Sequence, residues 1–284
     1  MSEQSKSHKL PEKTGLSFIG CGVMAESIIA GLLRQNIVVP SQIAASHPRD
    51  ERREELKMKY GIRVFDDNAD AANAFPETDT TVILCVKPQR LPDVLKELAG
   101  TVGQDQLVIS IVAGAGIDAI SEALNNRLVV RAMPNTPSQI GAGMTAWTCS
   151  PEVDESHKTQ VRTMLSALGR ELFVETENMI DMATSLSATG PTYIFMVMEA
   201  MTDAGVHLGF SREISKELVQ QTMLGSVLFA IESQKHPAEL RNMVTSPGGT
   251  SAEAIYQMEK GALRTVLSKA IYAAYKRAVD LGKK

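Results

Sequence analysis

The 284-residue chain is poor in cysteine and in aromatic side chains. Its three cysteines, Cys21, Cys85 and Cys149, stand far apart and form no C-x-x-C pair, so neither a metal site nor a disulfide framework is expected. An odd count without an apolar leader suits a reducing, cytoplasmic setting. The opening MSEQSKSHKLPEKTG has neither the h-region of a signal peptide nor the Arg-rich amphipathic stretch of a transit peptide, and it reads as a flexible tail over 1–14. No apolar run is long enough to span a bilayer, so no membrane partner is expected. Positive charge is not in excess either. The 29 Lys and Arg face 33 Asp and Glu, and a net charge of −4 argues against a nucleic-acid partner held by phosphate neutralisation. Aromatics make up only 5% of the chain against 14 methionines, which points to an aliphatic, helix-rich core. Apolar residues at 44% and charged residues at 22% exclude global disorder. The length fits two modest domains at roughly 150 residues each.

Along the chain, short apolar runs alternate with helical spacing. Leu16 to Ile19, Ile43 to Ala45, Thr80 to Val86, Leu107 to Val112 and Leu128 to Arg131 read as strands. Ile28 to Leu33, Arg49 to Tyr60 with Gly61 as C-cap, Leu91 to Leu98, and Ile117 to Leu124 read as helices. The alternation predicts an α/β fold: an N-terminal Rossmann-type, doubly wound parallel sheet whose continuously apolar strands are covered on both faces. From about Asn178 the pattern is helical to the end, an all-α domain. The composition changes between Ser166 and Glu177, which places the domains at 15–170 and 171–284.

Gly20-Cys21-Gly22-Val23-Met24-Ala25 is a G-x-G-x-x-A between a strand and a helix. Gly20 permits the tight turn, Gly22 lets the backbone approach a pyrophosphate, and Ala25 lets the helix pack closely; the helix N-terminus supplies N–H groups. The strand-turn-helix context makes this a dinucleotide site, against the alternative of a ligand-free glycine turn. NAD-binding folds usually carry an acid at the end of the second strand for the ribose 2′-hydroxyl. Here that end reads Ala45-Ser46-His47-Pro48-Arg49. Arg49 suits a 2′-phosphate, so NADPH is expected, with NADH weaker. Alternatively Arg49, Arg52 and Arg53 form a solvated helix face with Glu51, Glu54 and Glu55, a reading that suits Arg52 and Arg53 better than Arg49 at the loop. Val86-Lys87-Pro88 and Ala113-Gly114 follow later strands, where ligands of open α/β sheets lie; alone, Lys87 is as well read as a solvent-facing lysine. In Ser246-Pro247-Gly248-Gly249-Thr250-Ser251 two glycines and three hydroxyls suit a carboxylate. The same residues equally suit a helix-helix turn in which Thr250 or Ser251 caps the next helix, with Glu253 near a capping-box position.

Taken together, these stretches resemble pyrroline-5-carboxylate reductase over nearly the whole chain from Leu16. The most specific match is Val244 to Ser251 with the preceding His236-Pro237, supported by FIGCGVMA, CVKP at Cys85 to Pro88, Ala113-Gly114, RAMPNTP at Arg131 to Pro137 and SATGPTY at Ser187 to Tyr193. One departure is Ser251, where the family usually has threonine; serine keeps the hydroxyl and loses rotamer restriction. The resemblance implies NADPH-dependent reduction of the cyclic imine 1-pyrroline-5-carboxylate to L-proline, the last step of proline biosynthesis. It implies a homodimer that interlocks helical domains, with larger rings of dimers as an option. It implies that Ser46, His47, Asn68, Val86, Lys87, Pro88 and Ala113 contact the coenzyme and that Glu177 lies near the substrate.

On that basis Ser246 and the amides of Gly248, Gly249 and Thr250 are expected to anchor the carboxylate. Ser251 is the expected catalytic donor to the ring nitrogen, and Asn135 with Thr136 is expected to hold the nicotinamide. The five histidines form no triad-like pattern, and an imine protonated in solution needs no dedicated acid. A β-hydroxyacid dehydrogenase has a similar two-domain plan but requires a lysine base after its glycine-rich substrate motif. Pro191 to Met196 after Gly190 contains none. A binding protein that senses NADPH without turnover has the same coenzyme groove and no need of Ser246 to Ser251.

Overall fold

The structure is a computed structural model that describes residues 9–76 and 79–282. Residues 1–8 of the expected tail lie outside the described residues. Leu10 is buried, and its N–H donates to the Ile37 carbonyl at 3.0 Å. Two compact units emerge: one runs through Thr189 and takes up the chain again from Ala274, and the other is Gly190–Ala273.

The first unit is built on eight strands: β1 (Thr14–Ile19), β2 (Ile43–Ser46), β3 (Arg63–Phe65), β4 (Asp79–Leu84), β5 (Val108–Ser110), β6 (Val129–Met133), β7 (Gly143–Cys149) and β8 (Gly169–Phe173). Their order in the sheet is β3-β2-β1-β4-β5-β6-β7-β8. All pairs are parallel except β6 with β7. The helices are α1 (Val23–Arg34), α2 (Asp50–Tyr60), α3 (Asn68–Ala72), α4 (Leu91–Leu98), α5 (Ile117–Leu124), α6 (Glu155–Ser166) and α7 (Glu177–Ala183), the last followed by one π turn, Thr184–Ala188. The Rossmann-type, mostly parallel sheet is as expected, and α4 and α5 have the expected bounds. Gly61 ends α2 in the left-handed conformation.

Successive strand residues point to opposite faces. Leu16, Phe18, Ile83, Ile109 and Val130 join α1 and α6 in one core. Ile19, Val82, Leu84, Val108 and Val129 join α4 and α5 in another. Both faces are covered, which is why these strands are apolar throughout. Each fully buried Leu, Ile or Phe contributes about 1.5–3 kcal/mol, so this unit carries its own core.

Three strands escape the sequence pattern. β3 is only Arg-Val-Phe. β7 mixes Gly, Thr and Ala around Trp147, and β8 is an edge strand, GRELF, with a partly exposed face. Residues 170 and 171, where the composition places a boundary, lie inside β8 and pair with Met144 and Thr145 of β7. The sheet therefore continues through that point, and the compact units divide between Thr189 and Gly190.

The second unit consists of α8 (Gly190–His207), α9 (Arg212–Ser233), α10 (Pro237–Met243), α11 (Thr250–Lys260) and the first part of α12 (Leu263–Leu281), which belongs to the first unit from Ala274. No residue of α8, α10 or α11 is buried, and α9 buries only Ser215 and Val219. Phe195, Met196, Leu224, Val227, Leu228 and Ile231 are each at least half exposed. Apolar helices uncovered to this extent are an association surface. Among the described residues, no helix is long and apolar enough to cross a membrane.

Candidate active site

β1 ends at Ile19, and Gly20 turns with φ +83°, a conformation that side-chain-bearing residues rarely adopt. A Cβ on Gly20 would lie 2.4 Å from Cγ1 of Val86, just past β4. Glycine therefore lets the ends of β1 and β4 close together at the point where the strand order reverses, the site of ligand binding in open α/β sheets. A Cβ on Gly22 would meet nothing within 4 Å. Gly22 precedes α1 with no side-chain cap, so Val23, Met24 and Ala25 open the helix with amides that have no intrahelical partner. The Cys21 thiol is buried, which pushes its pKa up to about 12, and its contribution here is backbone.

The cleft at this turn has a volume of about 450 Å³. It brings together Gly20, Gly22, His47, Asn68, Val86 and Lys87 of the expected coenzyme contacts, and adds Pro48, Asp66, Arg90 and Glu97. Ser46 is wholly buried behind it: its Oγ accepts the Gly20 N–H at 3.0 Å and donates to Asn68 Oδ1 at 2.7 Å. Asn68 opens α3, whose cap is the Asp67 carboxylate. Pro88 and Ala113 line a second cavity of about 660 Å³, together with Leu91, Leu95, Gly114 and Glu177.

At the end of β2 the arginines separate by partner. Arg52 pairs with Glu26 and Glu55, and Arg53 with Asp50. Both arginines are thus charge-paired, but their side chains are largely buried, 13% and 15% exposed, and of the expected acids only Glu55 is a partner, beside Glu26 and Asp50. Arg49 is exposed and, among the described residues, has no carboxylate partner. Its N–H donates to His47 Nδ1 at 3.2 Å, and Arg53 donates to the His47 carbonyl at 2.7 Å. Partial burial, and then the Arg49 charge, hold the His47 pKa below its ordinary value. An uncharged imidazole beside an unmatched guanidinium, with no acid at the strand end, accommodates a 2′-phosphate. Glu26 anchors this corner. Burial alone would raise its pKa, but hydrogen bonds from Lys59, Arg52 and Tyr60 outweigh burial and bring it down to about 2.

Past β6, Asn135 Oδ1 accepts the Met144 N–H at 2.9 Å, and its Nδ2 donates to the Ser187 carbonyl at 3.4 Å. Ser187 stands in the π turn, and Ala188 of that turn packs with Ala113 and Met133 in one apolar cluster. Asn135 and Ala113 are thus brought to the same wall. π turns concentrate at functional sites.

Glu177 has partners that the sequence did not disclose. Its Oε1 accepts the Ile117 N–H at 2.9 Å and Arg131 Nη1 at 3.0 Å, while Arg131 Nη2 donates to Asp181 at 2.7 Å. The missed signal was Arg131 itself, a charge inside the apolar strand VVRAM, which burial permits only with partners.

Ser246 to Ser251 lies in the second unit. The Gly249 N–H donates to the Ser246 carbonyl at 3.0 Å, and Gly249 precedes α11 with no side-chain cap. Thr250 and Ser251 are the first two helical residues, so neither hydroxyl caps the helix, and Glu253 accepts from Gln257. A Cβ on Gly249 would lie 2.5 Å from Ser246 Oγ, so a side chain there would turn that hydroxyl away from the bend. The turn offers hydroxyls and a helix N-terminus, a donor set matched to a carboxylate.

Residues 177–281 match the family described as pyrroline-5-carboxylate reductase dimerisation, and residues 15–114 match the NADP oxidoreductase, coenzyme F420-dependent family. The chain is 39% identical to the pyrroline-5-carboxylate reductase of Synechocystis sp. over 95% of this chain and 98% of that one. It is similar to the solved structure of a pyrroline-5-carboxylate reductase from Coxiella burnetii, at 35% identity and TM-score 0.86, covering 96% of this chain and 100% of that one. It is also similar to Plasmodium falciparum pyrroline carboxylate reductase with NADP bound, at 28% identity and TM-score 0.86, covering 95% and 99%.

Proposed function

This chain belongs to the pyrroline-5-carboxylate reductase family, and from that premise we propose how its own residues perform the reaction. It is an oxidoreductase that reduces 1-pyrroline-5-carboxylate to L-proline with NADPH. When bound, the reduced nicotinamide supplies the hydride that converts the imine carbon to an amine carbon.

The coenzyme is held by the Gly20-Cys21-Gly22 turn and the first amides of α1. His47 and Arg49 receive the 2′-phosphate, Asn68, Val86 and Lys87 line the middle of the cleft, and Pro88, Ala113 and Asn135 stand toward the nicotinamide. The substrate carboxylate is anchored by the Ser246 hydroxyl and the amides of Gly248 and Thr250, while the Gly249 amide serves the turn itself. Ser251 hydrogen-bonds the ring nitrogen. Glu177 keeps the wall near Ala113 in place through Arg131. No dedicated acid is required, because an iminium protonated in solution already carries its proton. The observation that carries the substrate assignment is the uncapped start of α11 directly after Ser246-Pro247-Gly248-Gly249.

The unit that runs through Thr189 serves as the coenzyme domain, and the helical unit Gly190–Ala273 serves substrate binding and association. The match of residues 177–281 to the dimerisation family supports self-association, and the exposed apolar residues of α8 and α9 support a homodimer, with a ring of dimers as its extension. A cytoplasmic setting agrees with the free thiols. The functional test is loss of NADPH absorbance on adding 1-pyrroline-5-carboxylate, repeated with NADH and set against 3-hydroxyacids with NADP. Oxidation of NADPH by the imine alone supports the assignment; turnover of a 3-hydroxyacid with no effect of the imine would overturn it.

A further inference from the structure

The coenzyme cleft contains a carboxylate with no part in the assignments above: Glu97, in the last turn of α4 and exposed to the cleft. It accepts a hydrogen bond from Asn68 Nδ2 at 2.5 Å. The other end of the same amide, Asn68 Oδ1, accepts from the Ser46 hydroxyl at 2.7 Å, and Ser46 Oγ accepts the Gly20 N–H at 3.0 Å. The chain of bonds runs from α4 through the start of α3 and the end of β2 to the turn after β1.

Chemistry dictates the direction of each bond. A backbone N–H only donates, so Ser46 Oγ accepts from Gly20. The single hydroxyl hydrogen of Ser46 then goes to Asn68, which must present its oxygen there. A carboxylate only accepts, so Asn68 must present its NH2 group to Glu97. If the amide turned over, its oxygen would face a carboxylate oxygen at 2.5 Å, acceptor against acceptor. Without Glu97 that barrier is gone, because Ser46 accepts from an NH2 group as readily as it donates to an oxygen. In the turned-over state the Ser46 hydrogen loses its partner, and the hold on Gly20 loosens.

We infer that Glu97 is a positioning residue for coenzyme binding: its carboxylate locks the Asn68 amide in the orientation through which Ser46 holds the Gly20 turn. The inference rests on the reading that this cleft takes NADPH. The bonds end on the turn that serves the pyrophosphate, common to both coenzymes, and not on Arg49, so NADPH and NADH respond alike.

The test is equilibrium titration of coenzyme fluorescence with wild-type protein, Glu97→Leu, Glu97→Gln, Ser46→Ala and the double variant Glu97→Leu/Ser46→Ala. Glu97→Leu is expected to raise Kd about fivefold for NADPH and NADH equally, with kcat at saturating NADPH changed less than about twofold. Glu97→Gln keeps an oxygen acceptor and is expected to restore most of the affinity. The double variant binds about as weakly as the weaker single variant, since both interrupt one chain of bonds. Three results would each overturn the inference: wild-type affinity in Glu97→Leu, Glu97→Gln as weak as Glu97→Leu, or fully additive losses in the double variant. Glu97 is exposed, so the Leu variant keeps its Tm within about 2 °C; a variant that failed to fold would also overturn it. Wild-type protein that bound no NADPH would remove the reading of the cleft together with the inference. Normal wild-type binding with an unaffected Leu variant would remove the inference alone.

Discussion

Glu177 Oε1 lies 3.0 Å from Nη1 of Arg131, a guanidinium whose side chain is only 4% exposed, and the same oxygen accepts the Ile117 N–H at the start of α5. With Asp181 on the other guanidinium nitrogen, two carboxylates share one buried cation. The surplus negative charge sits against the positive end of α5, a favourable placement. α7 and the π turn after it are thereby pinned to β6 and α5, beside Ala113. The bonds from Arg131 and Ile117 both end on Oε1, and the Glu177 side chain remains 34% exposed in the second cavity.

Arg131→Met removes the cation and leaves both acids without it. Breaking a buried pair in this way costs about 3–5 kcal/mol, so Tm is expected to fall by roughly 6–20 °C. Asp50→Asn, which breaks the Arg53 pair at its exposed carboxylate, is the control and should move Tm by less than about 2 °C. Equal losses in the two variants, measured by calorimetry, would contradict the difference in burial.

Arg49→Glu replaces the unmatched guanidinium at the end of β2 with a carboxylate. The expected outcome is a Kd for NADPH raised about tenfold or more with little change for NADH, because only NADPH brings a 2′-phosphate. Parallel titration of the two coenzymes checks it, and an equal loss for both would move the phosphate away from Arg49.

Glu26 governs the acid limb. Its pKa in the folded chain is about 2 against an ordinary 4.5, a depressed carboxylate. Its contribution to stability is therefore complete above about pH 4.5 and is lost as pH falls through that window toward 2. Glu26→Gln should be less stable than wild type near neutrality and should show a shallower decline between those values. Urea midpoints taken across the window decide the matter; parallel slopes would sink the assignment.

Ser251→Ala removes the hydroxyl assigned to the ring nitrogen. Turnover is expected to fall roughly tenfold or more, while Kd for NADPH is unchanged. Steady-state kinetics with unaltered kcat and KM would contradict the role of Ser251.

Much of this architecture was legible along the chain because the relevant signals are local. The strand-turn-helix at Gly20 and the apolar runs of β4 and β6 carry their structure in adjacent residues. What was not legible depends on partners distant in sequence. β7 is held by β6 on one side and by β8 on the other, and its Trp147 is buried because Glu171 accepts the indole N–H at 2.5 Å. Nothing within Gly143–Cys149 announces that acceptor. Arg131 was visible as a residue, but its meaning lay in Glu177 and Asp181, some fifty positions on. The direction of the Asn68 amide was not legible because Ser46 and Glu97, which set it, come from two other elements. The helical unit was legible as helix, and its exposed apolar residues make sense only with a partner.

The central claim is that the Gly20 turn holds the coenzyme while the start of α11 holds the substrate for its reduction. A crystal structure with NADP and L-proline tests it most directly. The account predicts the pyrophosphate at the first amides of α1, the proline carboxylate at Ser246 and the amide of Thr250, and the ring nitrogen within hydrogen-bonding reach of the Ser251 hydroxyl. Proline bound without contact to Ser246–Ser251, or coenzyme bound away from Gly20 and Gly22, would contradict it.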